Sequence, residues 1–177
     1  MQETIILTAI GTVENDFTDE VPEDWETRPS RIVIRPDLEP ALDGIEGFSH
    51  LIILWWLHRA HGPFQLRVHP EQREDTPLVG FFATRTPNRP NPIAIKPVRL
   101  LRREGNVLIV EGLDALDGSP VIDIKPYLVR GDLVPEATVP RWLRELWAAH
   151  DAERSQQGLN KGLKPLVGHG CYKRRFI

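Results

Sequence analysis

Gly80–Leu100 reads GFFATRTPNRPNPIAIKPVRL. It enters as an apolar strand, turns into a loop and leaves as a second strand. Four prolines, Pro87, Pro90, Pro92 and Pro97, lie between Thr84 and Val98. Each fixes φ, removes an N–H donor and drives its predecessor toward extended geometry, which excludes helix. A loop stiffened in this way loses little ordering entropy on binding. Arg85, Asn88, Arg89 and Asn91, followed by Lys96, place cations and amides on that rigid backbone. Such groups suit carboxylates, phosphates or base edges. The plainer alternative is a structural turn carrying solvated arginines.

Outward from this stretch the chain keeps the same character. On the N-terminal side, Pro70–Pro77 is a charged loop and Phe64–His69 alternates like a strand. Phe48–His58, FSHLIILWWLH, is the most apolar segment, with Gly44 and Gly47 before it and Gly62-Pro63 after it. It reads as a buried central strand with His50, Ile52, Leu54, Trp56 and His58 on one face. Arg31–Ile34 is a short strand, and Pro36 and Pro40 then break the chain. Thr4–Val13, rich in Ile, Thr and Val, predicts a strand with a bend at Gly11. The acidic loop Glu14–Glu26 follows it, with Trp25 as its anchor. On the C-terminal side, strands are expected at Ile93–Leu101, Val107–Gly112 and Val121–Leu128. A turn is expected over Arg103–Asn106 and a tighter one at Asp117-Gly118. Pro126 makes the last strand an edge or bends it away from one. Thr138–Gln157 is the one convincing helix, with Thr138 as N-cap, Pro140 in the first turn and Gly158 at the stop. Trp142, Leu143, Leu146 and Trp147 form its apolar stripe. The fold class is therefore mainly β: one small antiparallel barrel-like domain over residues 4–136. Residues 137–177 add a helix and a basic tail without forming an independent domain.

Composition fits a soluble globular chain: 177 residues, 41% hydrophobic and 27% charged. One cysteine, Cys171, excludes an internal disulfide and suits a reducing compartment. No cationic leader precedes the apolar start, and LIILWWL is far too short to span a bilayer, so a cytoplasmic, membrane-free protein is expected. The net charge of −3 argues against a general polyanion binder, but the charge is unevenly placed. Glu14–Glu26 holds seven acids and no Lys or Arg, whereas Thr76–Arg103 holds six Lys or Arg and no acid. Six more cations and no acid follow Glu153. The two basic segments either form one anion-binding face or are separately solvated.

Phe48-Ser49-His50-Leu51, Gly80 through Arg85, Arg89-Pro90-Asn91-Pro92-Ile93, Asp114 through Gly118, and Asp123-Ile124-Lys125-Pro126-Tyr127 are linked motifs. Together they resemble the TsaA-like (TrmO, YaeB) family. The resemblance runs in the family's order from Thr4 to Asp132. Ala94 stands at a usual glycine, and Ser119 at a common threonine. Longer members carry an additional C-terminal domain with an Asp-Pro-Arg motif that is not seen in this sequence. The resemblance implies a β-barrel that binds S-adenosylmethionine and dimerises. It also implies methylation of N6 of threonylcarbamoyladenosine in the tRNA anticodon loop.

S-adenosylmethionine presents a carboxylate, an ammonium, a sulfonium and an adenine. Arg85 suits the carboxylate. Asp114 or Asp117 suits the ammonium or the ribose, with Asp117 equally readable as a turn residue. Backbone groups around Ile95 and Ala115-Leu116 suit the adenine edge. The resemblance adds Pro29, Ser30, Arg31, His58 and Arg59 to the pocket. Methyl transfer needs alignment more than acid–base power. No convincing base stands out; Asn91, Asp123 and Tyr127 are the candidates, and an Asp123–Lys125 ion pair is the alternative for the second. Arg89, Asn91, Arg102, Arg103, Lys173, Arg174 and Arg175 are the candidate RNA contacts. His58, His61 and His69 match no zinc spacing, and no metal is expected. Five tryptophans and an amphipathic helix point to a homodimer. Two alternatives stay open: a non-catalytic S-adenosylmethionine-binding sensor, or a methyltransferase for another RNA or a small molecule.

Overall fold

The computed structural model describes residues 3–156. Eight strands form: β1 Gly11–Glu14, β2 Pro29–Ile34, β3 His50–Trp56, β4 Arg67–Val68, β5 Val79–Gly80, β6 Ile93–Glu104, β7 Val107–Glu111 and β8 Pro120–Pro126. Six of them close a barrel in the order β1-β2-β7-β6-β3-β8, every pair antiparallel, and β4 and β5 make a separate two-stranded flap. Two helices follow, α1 Val129–Asp132 and α2 Arg141–Gln156.

The barrel interior is built by strand alternation. Val13, Ile32, Leu51, Ile53, Val98, Leu108, Val110 and Val121 point inward, each at most 1% exposed. Each such side chain stabilises the fold by about 2 kcal/mol relative to exposure. β3 is central, as its sequence predicts, with β6 on one side and β8 on the other. Trp25 anchors the acidic loop at 6% exposure, and the Lys96 ammonium lies 4.5 Å from its ring centroid.

β6 changes partner along its length. Ile93–Arg99 runs beside β3, whereas pairing with β7 begins only at Arg99 and continues to Glu104, with a register shift between Leu100 and Arg102. Ile93–Val98 therefore has one strand neighbour. Gly112–Ser119, the segment that leaves β7, follows the point where that ladder stops.

Several sequence expectations are corrected. The strand expected over Thr4–Val13 is confined to Gly11–Glu14. Gly11 is its first residue rather than a bend: a Cβ there would lie 2.4 Å from the Val33 carbonyl oxygen. Phe64–His69 contributes only the two residues of β4. β6 runs through the expected turn to Glu104, leaving the reversal to Gly105-Asn106. Pro126 ends β8 opposite Leu51 in a closed barrel and so marks no edge. α2 begins at Arg141, so Thr138 lies outside it, and Pro140 accepts the first helical hydrogen bonds, from Leu143 and Arg144. From its apolar stripe Leu146 is buried, and so is His150, whose Nε2 meets Glu71 Oε2 at 2.9 Å. Gly158 lies outside the described residues.

Candidate functional site

Antiparallel closure sends six chain segments to one end of the barrel. These are the exit of β1, the entry of β2, the exit of β3, the entry of β6, the exit of β7 and the entry of β8. All the cofactor-contact candidates belong to this end or to the loops that feed it: Pro29, Ser30 and Arg31 opening β2, His58 and Arg59 after β3, Arg85 before β6, Ile95 near the start of β6, and Asp114–Asp117 after β7.

The best-connected group at this end is one that sequence reasoning missed. Asn15, just beyond β1, donates from Nδ2 to Ser30 Oγ at 3.0 Å and to the Ala115 carbonyl at 2.9 Å. Its backbone N–H donates to Asp117 Oδ1 at 3.0 Å, and its Oδ1 accepts from the Phe17 N–H at 3.0 Å. Asp117 N–H bonds back to the Phe17 carbonyl and Gly118 N–H to that of Val13. The Asp-Gly turn is formed, with Gly118 at φ +75°, a conformation that favours glycine. Ser119 Oγ lies 3.2 Å from His58 Nδ1. Ser30, Ala115, Asp117 and His58 are thus tied into one network. The only sequence signal for Asn15 is an amide among seven acids, and their charge hides it.

Asp114, Ala115 and Leu116 are buried, at 2%, 0% and 0% exposure. The Ala115 carbonyl is engaged by Asn15 and the Leu116 carbonyl by Ser119 N–H. Among the described residues, no group accepts from the N–H of Ala115 or Leu116. A buried backbone donor normally has an acceptor, so these two N–H groups suit an acceptor edge supplied by a ligand. On β6, Ile95 is 50% exposed. His58 is pushed below the ordinary histidine value of 6.5, first by burial and then by Arg59 and His61, with Asp117 opposing. A neutral imidazole adds no cation to this end of the barrel.

The arginines divide by partner. Arg31 faces outward and pairs with Glu14 at 3.1 Å, and Arg59 reaches Asp19 at 3.5 Å. Pro29 is exposed opposite Glu111. Arg85 is exposed and forms no hydrogen bond or ion pair among the described residues. Arg89 has no carboxylate partner among them either; its guanidinium lies 5.9 Å from the Phe81 ring centroid. The Pro-rich loop is held against the chain leaving β3. Leu57 N–H bonds to the Pro92 carbonyl, Asn88 packs on Gly62, and Phe64 meets Phe81 edge-on at 5.8 Å.

Other candidates lie elsewhere. Arg102 and Arg103 sit near the β6–β7 hairpin at the far end, paired with Glu104 at 2.7 Å and with Asp43 and Glu46 at 3.2 Å. Asn91 is exposed before β6. Asp123 lies mid-strand, bound to Lys125 at 2.7 Å, the ion pair weighed from the sequence. Tyr127 is beyond the opposite end of β8, with its ring 6.5 Å from that of His50. The three catalytic candidates do not converge within one chain. Lys173, Arg174 and Arg175 lie outside the described residues. Among the described residues no three His, Cys, Asp or Glu gather as a metal site, and no helix is long and apolar enough to cross a membrane.

A sequence profile of the tRNA-methyltransferase O N-terminal domain matches residues 16–133. The chain is 49% identical over 114 residues to a probable S-adenosyl-L-methionine-binding protein of Archaeoglobus fulgidus, covering 64% of this chain but 30% of that relative. It is 39% identical over 161 residues to another protein of that description from Pyrococcus abyssi, covering 86% and 81%. A mouse tRNA (adenine(37)-N6)-methyltransferase is 40% identical over 95 residues, 53% of this chain and 22% of that protein. The crystal structure of TrmO from Pseudomonas aeruginosa superposes with a TM-score of 0.64 at 31% identity, covering 77% of this chain and 61% of that one. With a matching profile over two thirds of its length and the same barrel, the chain belongs to the tRNA-methyltransferase O N-terminal-domain family.

Proposed function

We propose that this chain is an S-adenosyl-L-methionine-dependent methyltransferase acting on tRNA, and that its acceptor is N6 of threonylcarbamoyladenosine in the anticodon loop. The observation that carries the reading is the gathering of complementary groups at and around one barrel end. Arg85, without a carboxylate partner among the described residues, suits the amino-acid carboxylate. Asp117, with one oxygen engaged by Asn15, keeps the other for the ammonium or a ribose hydroxyl. The buried N–H groups of Ala115 and Leu116 suit the acceptor edge of an adenine, with the unpaired side of Ile93–Val98 opposite. The names of the relatives support the cofactor, and that of the mouse relative supports an adenine N6 acceptor in tRNA.

Methyl transfer to nitrogen is an in-line displacement, so the protein's contribution is alignment. Arg89 and Asn91, on the stiff loop beside the pocket, hold the acceptor. The basic tail adds phosphate contacts that weaken steeply with salt. Nucleoside mass spectrometry of tRNA from a strain lacking the protein should show loss of the N6-methylated nucleoside and its return on complementation. An unchanged profile rejects the acceptor.

A second reading, a non-catalytic S-adenosylmethionine-binding protein, is favoured by one observation: Asp123 and Tyr127 are held away from Asn91. It predicts binding without release of S-adenosylhomocysteine when total tRNA is supplied; steady release rejects it.

A further inference from the structure

We infer that Asn15 is the positioning residue of the nucleoside half of the cofactor pocket. The inference rests on the proposed cofactor reading. Asn15 uses its backbone N–H, both side-chain donor contacts and its amide oxygen on four different partners: Asp117 Oδ1, Ser30 Oγ, the Ala115 carbonyl and the Phe17 N–H, all within 3.0 Å. These partners come from three separate strand ends, β1, β2 and β7. One short side chain thereby joins three of the barrel's loops.

Each bond has a distinct consequence for binding. The bond to the Ala115 carbonyl fixes the peptide plane that follows it, and so the direction of the Leu116 N–H. The bond to Asp117 occupies one carboxylate oxygen and aims the other. The bond to Ser30 ties the start of β2 to the same loop. Phe17, 1% exposed, is locked by Asn15 Oδ1 on its N–H and by Asp117 N–H on its carbonyl, so the network cannot shift without moving a core side chain. In the proposed pocket the Leu116 N–H faces adenine and the second oxygen of Asp117 is taken to face the ribose, whereas Arg85 addresses the carboxylate. Asn15 itself is a second layer: its amide is consumed by protein partners and touches no ligand.

This division can be read with two ligands. S-adenosylmethionine has both halves, and 5′-methylthioadenosine has the nucleoside without the amino-acid carboxylate. Titration calorimetry on the full chain should find Asn15→Ala weakening both ligands by about the same factor, on the order of tenfold for the loss of one or two oriented hydrogen bonds. Arg85→Ala should weaken S-adenosylmethionine and leave 5′-methylthioadenosine within twofold. Asn106, whose side chain donates to the Ile34 carbonyl at the far end, is the control for a purely structural amide. Asn106→Ala should lower the melting temperature while both affinities hold. Asn15→Ser, which keeps one short donor, should fall between wild type and Asn15→Ala, and it carries the test if Asn15→Ala does not fold. Asn15→Ala within twofold of wild type for both ligands, or a loss matched by Asn106→Ala, overturns the role. A wild-type chain that binds neither ligand overturns the cofactor reading and this role with it.

Discussion

His58 is a residue whose ionisation the fold shifts. Burial holds its pKa below the ordinary 6.5, with Arg59 and His61 pushing the same way. In the unfolded chain the imidazole takes a proton at a higher pH than in the folded one. Its contribution to stability is therefore whole above about pH 6.5 and is lost as the pH falls through the lower folded value. Melting curves from pH 7.5 to 5.0 should show the wild type losing stability below pH 6.5 more steeply than His58→Gln. Parallel curves would show that the imidazole stays solvated in both states. The loop that carries Arg85 and the turn at Asp117-Gly118 are legible in the sequence because proline and glycine confine the backbone there. Asn15 is not: the partners of an amide 100 and 102 residues away are set by closure, which no local pattern encodes.

Among the elements, β1 shows what closure demands. Gly11 stands where a Cβ would press to 2.4 Å against the backbone oxygen of Val33 and to 3.0 Å against Ile34 Cα. Backbone on the facing strand cannot yield as a long side chain can. Gly11→Ala should cost about 2–3 kcal/mol of stability, measured as a lower urea midpoint with unchanged slope; a change under about 0.5 kcal/mol, the range of an ordinary surface substitution, would show that β1 and β2 separate freely. β3, β6, β7 and β8 are readable because apolar periodicity and turn residues bracket them. The N-terminal stretch promises more strand than it forms. Thr4–Ile10 has strand propensity, but β2 ends at Ile34, and Pro36 brings no N–H to extend the pairing. The last link is Arg35 N–H to the Ile10 carbonyl. Propensity reports the chain's preference and is blind to the loss of a neighbour.

For the whole molecule, none of the five tryptophans is fully exposed. Trp25 and Trp55 are buried and Trp56, Trp142 and Trp147 half-buried. Exposed apolar side chains occur at Ile5–Leu7, over Leu128–Val134 and on and beside the β4–β5 flap, where Leu66 is 75%, Phe82 83% and Leu78 53% exposed. Leu66 and Phe82 are close in space, since Phe81 N–H bonds to the Leu66 carbonyl. An apolar patch of this kind suits a partner surface, and a second copy is the proposed occupant. Light scattering at micromolar concentration should give twice the 20.2 kDa chain mass for wild type and the single mass for the Leu66→Ser/Phe82→Ser variant. Equal masses for both would move the interface elsewhere.

One feature of the barrel reaches beyond binding. Ile93–Val98 has a strand on one side only, and the segment that leaves β7 begins where that ladder stops. A purine seated there would act as a missing rung of the ladder. The fold would then be completed by its ligand, and conformational stability would rise with the logarithm of free cofactor concentration above its dissociation constant. The chain's persistence in the cell would thereby register the supply of methyl donor.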